Sequence, residues 1–150
     1  MIILQNQRQY RDTKADLARF EEALIAHDAR DPRDLPSNID PRMPQIMHDA
    51  ILSWIETLRE QIAHYEGLRD GQITSREITS LHELPIALTE ARIAARLTQR
   101  QLAQRIGVAE QQIQRWEANG YSGVNLDRLQ GIADALGVQI RETITYSSAA

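Results

Sequence analysis

TQRQLAQRIGVAEQQIQRWEANG, residues 98–120, is the stretch on which the reading of this chain turns. Thr98 offers a hydroxyl to the free amides at the start of a helix in which Leu102, Ala103 and Ile106 recur on one inward face. Gly107 ends that helix. A small side chain at Ala103 lets a second helix come close, and Gly107 permits the positive φ of a tight turn between two steeply crossed helices. The next helix, over 110–118, commits Ile113 and Trp116 to a core and leaves Gln111, Gln112, Gln114 and Arg115 outside. Amide and guanidinium groups match base edges: Gln pairs bidentately with adenine and Arg with guanine in the major groove. On an arbitrary helix such a face is merely solvated. On the second helix of a small-residue, glycine-turn pair it occupies the place of a recognition helix.

Upstream, Ile86, Leu88, Ile93 and Leu97 give apolar weight to a preceding helix that opens at Leu84-Pro85. Residues 84–138 resemble the Xre/Cro-like helix-turn-helix domains of phage-repressor type. The resemblance rests on Thr98-Gln99, Leu102-Ala103, Gly107-Val108, Ile113, Trp116-Glu117 and Ala133-Asp134-Ala135-Leu136-Gly137-Val138, which fall where such domains carry capping, turn, core and final-helix residues. It covers about a third of the chain and implies a compact domain of five helices or fewer. The implied function is that of a transcriptional repressor that binds double-stranded DNA as a dimer on a palindromic operator. By the same resemblance Gln111, Gln112 and Arg115 approach bases, with Gln114 as a lesser candidate, and Gln99 grips phosphate; Glu110 is a further candidate for base reading, and Arg100, Tyr121 and Ser122 are further candidates for phosphate. Arg92 and Glu117 are implied as a charge pair bridging the first and third helices of the domain.

The stretch departs from that pattern in places. Ala109 has no side-chain oxygen with which to cap the recognition helix, and Glu110 suits the helix dipole but repels phosphate unless it accepts from a cytosine amino group. The loop over 119–125 contains no Lys or Arg, so backbone grip there falls to amides, Tyr121 or Ser122.

The first half reads as a helical hairpin over 1–70. Tyr10, Leu17, Phe20 and Leu24 recur at helical steps over 10–28, with Thr13 and Asp16 resembling a capping box. Pro32, Pro36, Pro41 and Pro44 break the chain into a loop. Beyond it, Met47, Ile51, Trp54, Leu58 and Tyr65, widened by Ile55 and Ile62, predict a second long helix to about Leu68. That stripe is buried either by the first helix alone or also by a second copy of the chain, because periodicity reports a buried face and not what buries it. Gly67, Gly71 and the polar run over 72–80 mark a linker at 71–83. Over 138–146 Val, Ile, Thr and Tyr alternate, which predicts a strand at the start of a tail over 139–150, pairing with Ile2-Ile3-Leu4 or with its own copy across a dimer. The expected fold is therefore mainly α with one C-terminal strand.

Charge sharpens the division. The net charge is −4, which alone argues against nucleic acid. Residues 1–83, however, hold ten Lys and Arg against fifteen Asp and Glu, whereas residues 84–150 hold seven against six. Arg92, Arg96, Arg100, Arg105 and Arg115 predict a local basic stripe in the second half. An acidic helical region joined to a repressor domain is also the architecture of HigA-like antitoxins. That similarity implies an alternative function, neutralising a basic toxin partner and repressing the operon's own promoter. There is no cysteine, no apolar run of the roughly 18–20 residues a membrane span needs, and no signal-peptide pattern, so a cytoplasmic protein is expected. The histidines at 27, 48, 64 and 82 are scattered, without a metal-binding or nucleophile motif, and neither a cofactor, a metal nor an enzymatic activity is expected.

Overall fold

The computed structural model describes residues 3–147 and divides into two compact units, 1–75 and 76–150. Each is built on helices, and no strand occurs among the described residues.

The first unit is an antiparallel pair, α1 (Gln7–Asp28) and α2 (Met43–Arg69). Asn6, not Thr13, caps α1: its side chain accepts from the backbone N–H of Gln9 at 2.9 Å, while Thr13 is buried mid-helix. The expected start at 10 falls short because Gln7, Arg8 and Gln9 are good helix formers with no apolar period to reveal them. Contacts between the helices descend on α2 as they ascend on α1. Tyr10 stacks on Tyr65 with ring centroids 4.9 Å apart, Phe20 on Trp54 at 6.2 Å, and Asp28 meets His48 at 2.8 Å. Ile55, Ile62, Tyr65 and Leu68 form the buried side of α2. The proline-rich connection contains a single 3-10 turn (Pro32–Asp34), and each of Asp31 and Asp40 takes the backbone N–H and the guanidinium of an arginine two residues on. Two such local turns bring the chain around without any regular ladder.

The second unit starts upstream of the expected boundary at 84. Arg76 reaches Glu90 at 2.7 Å, and Ile78 packs on the core. Ser80 and Glu83 form a reciprocal capping box around the 3-10 turn Leu81–Glu83, which runs directly into α3 (Leu84–Ala94). The Thr79 backbone N–H donated to Glu83 holds that carboxyl below its ordinary value. There follow α4 (Gln99–Ile106), α5 (Glu110–Ala118) and α6 (Leu126–Leu136). Leu84, Leu88, Leu102, Ala103, Ile113, Tyr121, Ile132 and Ala133 make the core, with Leu102, Ile113 and Ile132 fully enclosed.

The expected C-terminal strand is not there. Gly137 closes α6 in the left-handed conformation and Val138 packs on the core, but residues 139–147 are exposed and carry no ladder. Alternating β-branched residues make a strand only where a partner satisfies their backbone groups. Ile3 and Leu4 are not in a strand, and Ile2, like the last three residues, lies outside the described residues.

Candidate nucleic-acid interface

The turn between α4 and α5 is set by three local devices. Thr98 accepts from the backbone N–H of Gln101 while the Gln101 side chain accepts from the N–H of Thr98, a closed capping box at the start of α4. At its end Gly107 adopts φ 72°, a conformation that a side chain would disfavour by about 1–2 kcal/mol. The N–H of Val108 then returns to the carbonyl of Ala103 at 3.0 Å. Ala109 precedes α5 and makes no side-chain cap.

Helix α5 is fixed from beneath by a buried polar knot. Arg92 of α3 donates from Nε and Nη2 to the two oxygens of Glu117, at 2.6 and 2.7 Å, and from Nη1 to the carbonyl of Leu97 at 2.8 Å. Gln99 adds its Nε2 to the same Glu117 Oε2 at 2.7 Å. Three helices thus converge on one carboxylate that is closed to solvent. The resemblance assigned Gln99 to phosphate, yet its side chain turns inward and is buried. Its amide is more valuable to an enclosed carboxylate than to water, since a hydrogen bond to a buried charge exceeds one between neutral groups.

Tyr121 also faces inward. It sits at φ 56° between glycines of positive φ, its ring stacks on Trp116 at 6.2 Å, and only 3% of it is exposed. Burial, with Glu117 nearby, raises its phenol well above the ordinary tyrosine value. Its hydroxyl has no hydrogen-bond partner among the described residues. Tyr121→Phe is therefore expected to leave stability unchanged or raise it by up to about 1 kcal/mol, because an unsatisfied buried hydroxyl is removed. Urea denaturation checks this, and a loss of about 1 kcal/mol or more would mean that the hydroxyl is in fact satisfied.

The outer side of α5 carries Gln111, Gln114 and Arg115, all exposed, with Gln112 and Glu110 partly covered. Glu110 is engaged: it accepts from Arg100 Nε at 3.0 Å and from Gln114 Nε2 at 3.4 Å. The α4 guanidinium thereby offsets the one negative charge at the start of α5, the charge that sequence alone made an obstacle to phosphate. Arg100 and Ser122 remain at the surface, so of the residues named for phosphate these two are positioned to reach a ligand. Arg128, in the first turn of α6 after the Asn125 cap, is exposed as well and was not singled out from sequence. The cap-to-cation spacing Asn125-Leu126-Asp127-Arg128 was its available signal.

A capped helix, a left-handed glycine turn and a crossed second helix with a polar outer face define a helix-turn-helix domain, the class of fold to which the second unit belongs. The helix-turn-helix family model matches residues 88–142. The match covers only the second unit, which therefore carries a helix-turn-helix domain and is similar to the Xre/Cro-like members of that class. No curated protein and no solved structure matches the chain. Among the described residues no helix is long and apolar enough to cross a membrane.

Proposed function

We propose that the protein is a sequence-specific repressor that binds double-stranded DNA as a homodimer on an approximately palindromic operator. The observation that carries this reading is the outward face of α5, where Gln111, Gln114 and Arg115 are exposed above a rigid polar knot and Glu110 is already engaged by Arg100. Gln111, Gln112 and Arg115 read base edges, with Gln114 and Glu110 in support, and Arg100, Ser122 and Arg128 hold phosphates. Gln99 and Tyr121 serve the domain's interior. Selection of bound DNA from a random pool tests the proposal. One enriched inverted repeat, whose affinity falls steeply with salt, is the expected result; no enrichment above the starting pool would refute it.

Dimerisation is supported by what α2 leaves uncovered. Ile55, Ile62 and Tyr65 are buried, but Met43, Ile46, Met47 and Trp54 stay exposed, Trp54 to 57%. Large side chains at helical spacing, open to water together, suit an isologous contact with a second copy. Sedimentation at micromolar concentration is expected to give a dimer, and Trp54→Glu with Met47→Glu a monomer; a wild type that sediments as a monomer would remove this part of the reading.

A toxin-neutralising role is the second reading. It is favoured by the charge of the first half, where acids outnumber bases by five over residues 1–83. A small basic reading frame adjoining the gene, whose product co-purifies with the chain, is its distinguishing observation.

A further inference from the structure

Two histidines and an aspartate that lie far apart in the sequence meet where the α1–α2 hairpin turns. His48 Nδ1 stands 2.8 Å from Asp28 Oδ1, and His27 Nδ1 stands 3.3 Å from the same oxygen. One ligating atom from each of the three residues can be chosen so that all lie within 4.8 Å of one another. Two of the histidines are scattered in sequence but not in space, since the antiparallel pairing of α1 and α2 brings position 48 back over 27 and 28.

We propose that His27, Asp28 and His48 form a binding site for a divalent transition-metal ion, Zn²⁺ being the best match. With bonds of about 2.0–2.1 Å to imidazole nitrogen and carboxylate oxygen, a tetrahedral ion sets neighbouring ligand atoms about 3.3 Å apart. The His27–Asp28 separation already has that value, and the His48–Asp28 separation needs to open by only about 0.5 Å. Two nitrogen donors with one carboxylate favour Zn²⁺, Co²⁺ or Ni²⁺ over Mg²⁺ and Ca²⁺, which take all-oxygen sets.

The two imidazoles hold the Asp28 carboxyl below its ordinary value, His48 contributing most. To bind an ion, each ring must present the lone pair of its Nδ1, with any ring proton on Nε2.

The surroundings fit such an ion. The side chains of His27 and His48 are 15% and 31% exposed and that of Asp28 51%, which holds the rings in place while leaving a side open for water or a fourth ligand. They border a cavity of about 290 Å³ that is also lined by Leu35, Ile39, Met43 and Met47. Arg30 lines the same cavity and is the one arginine or lysine there, a charge the ion must tolerate at the rim. A bound ion would link the C-terminal end of α1 to the first turns of α2 across the proline-rich connection, beside the exposed Met43 and Met47.

Calorimetric titration of the untagged, full-length protein with Zn²⁺ tests the proposal, with Mg²⁺ as control. One Zn²⁺ per chain is expected, weakened about tenfold or more in His27→Ala and in His48→Ala, with no heat from Mg²⁺. Thermal melting with excess Zn²⁺ should move upward for the wild type and not for the His27→Ala/His48→Ala double variant. The metal-free melts of both proteins establish that the variant is folded. Absence of stoichiometric Zn²⁺ binding by the wild type would overturn the proposal. So would equal affinity in the folded double variant, which would place binding at His64 or His82 instead.

Discussion

Alanine at Arg115 or Gln111 is expected to weaken operator binding by about 5- to 150-fold each, the equivalent of about 1–3 kcal/mol for a lost bidentate base contact. Stability should change by less than about 0.5 kcal/mol, since both side chains project from the exposed side of α5. The loss should also depend on sequence: Arg115→Ala should relax discrimination at one base pair per half-site, where Arg100→Ala should weaken all sequences alike and flatten the salt dependence. Binding isotherms on the selected operator and on point-mutated operators separate these effects. Equal affinity of wild type and the Gln111→Ala/Arg115→Ala double variant, with both folded, would dismiss α5 as the reading element.

A larger effect on stability is expected from the knot beneath. Arg92→Ala leaves Glu117 charged and enclosed, without the two guanidinium hydrogen bonds that met its oxygens. Breaking a buried pair in this way costs about 3–5 kcal/mol, a large part of the roughly 5–15 kcal/mol that holds a domain folded. Glu117→Gln should cost a comparable amount, because the new amide nitrogen must face a donor, either Arg92 Nε or the Arg92 Nη2 and Gln99 Nε2 pair, and the buried Arg92 charge loses its counterion. The losses should not add in the double variant, since the second change removes a partner already stranded. Urea denaturation followed in the full chain measures this, and an Arg92→Ala loss below about 1 kcal/mol would mean that water reaches the pair. The same variant should lose DNA binding only in proportion to its unfolded fraction, which separates a scaffold residue from a contact residue.

Much of this was legible in the sequence because it is local. Thr98, Ala103, Gly107 and Ile113 fixed the turn and the inward face of α5 through spacing alone, and the outward set at 111, 114 and 115 follows as its complement. Where a polar side chain finds its partner is not local. Gln99 and Tyr121 look like surface residues in a linear reading, and only the arrival of Glu117 and the packing of Trp116 draw them inside. The strand expected at 138–146 failed for the same reason, since a ladder needs a second segment that no pattern within those residues supplies. The meeting of His27, Asp28 and His48 likewise depends on how two helices align, and a motif with fixed spacing has no means of recording it.

Glu117 has both oxygens occupied by groups from α3 and α4, and this fixes the azimuth of α5. Successive residues on a helix are about 100° apart, so no small twist could exchange one outward side chain for its neighbour without dismantling that arrangement. On the reading proposed above, a new operator preference would arise by replacing individual letters at 111, 112 or 115, as type is changed in a fixed frame. The mechanical support can stay constant while the message it prints is rewritten.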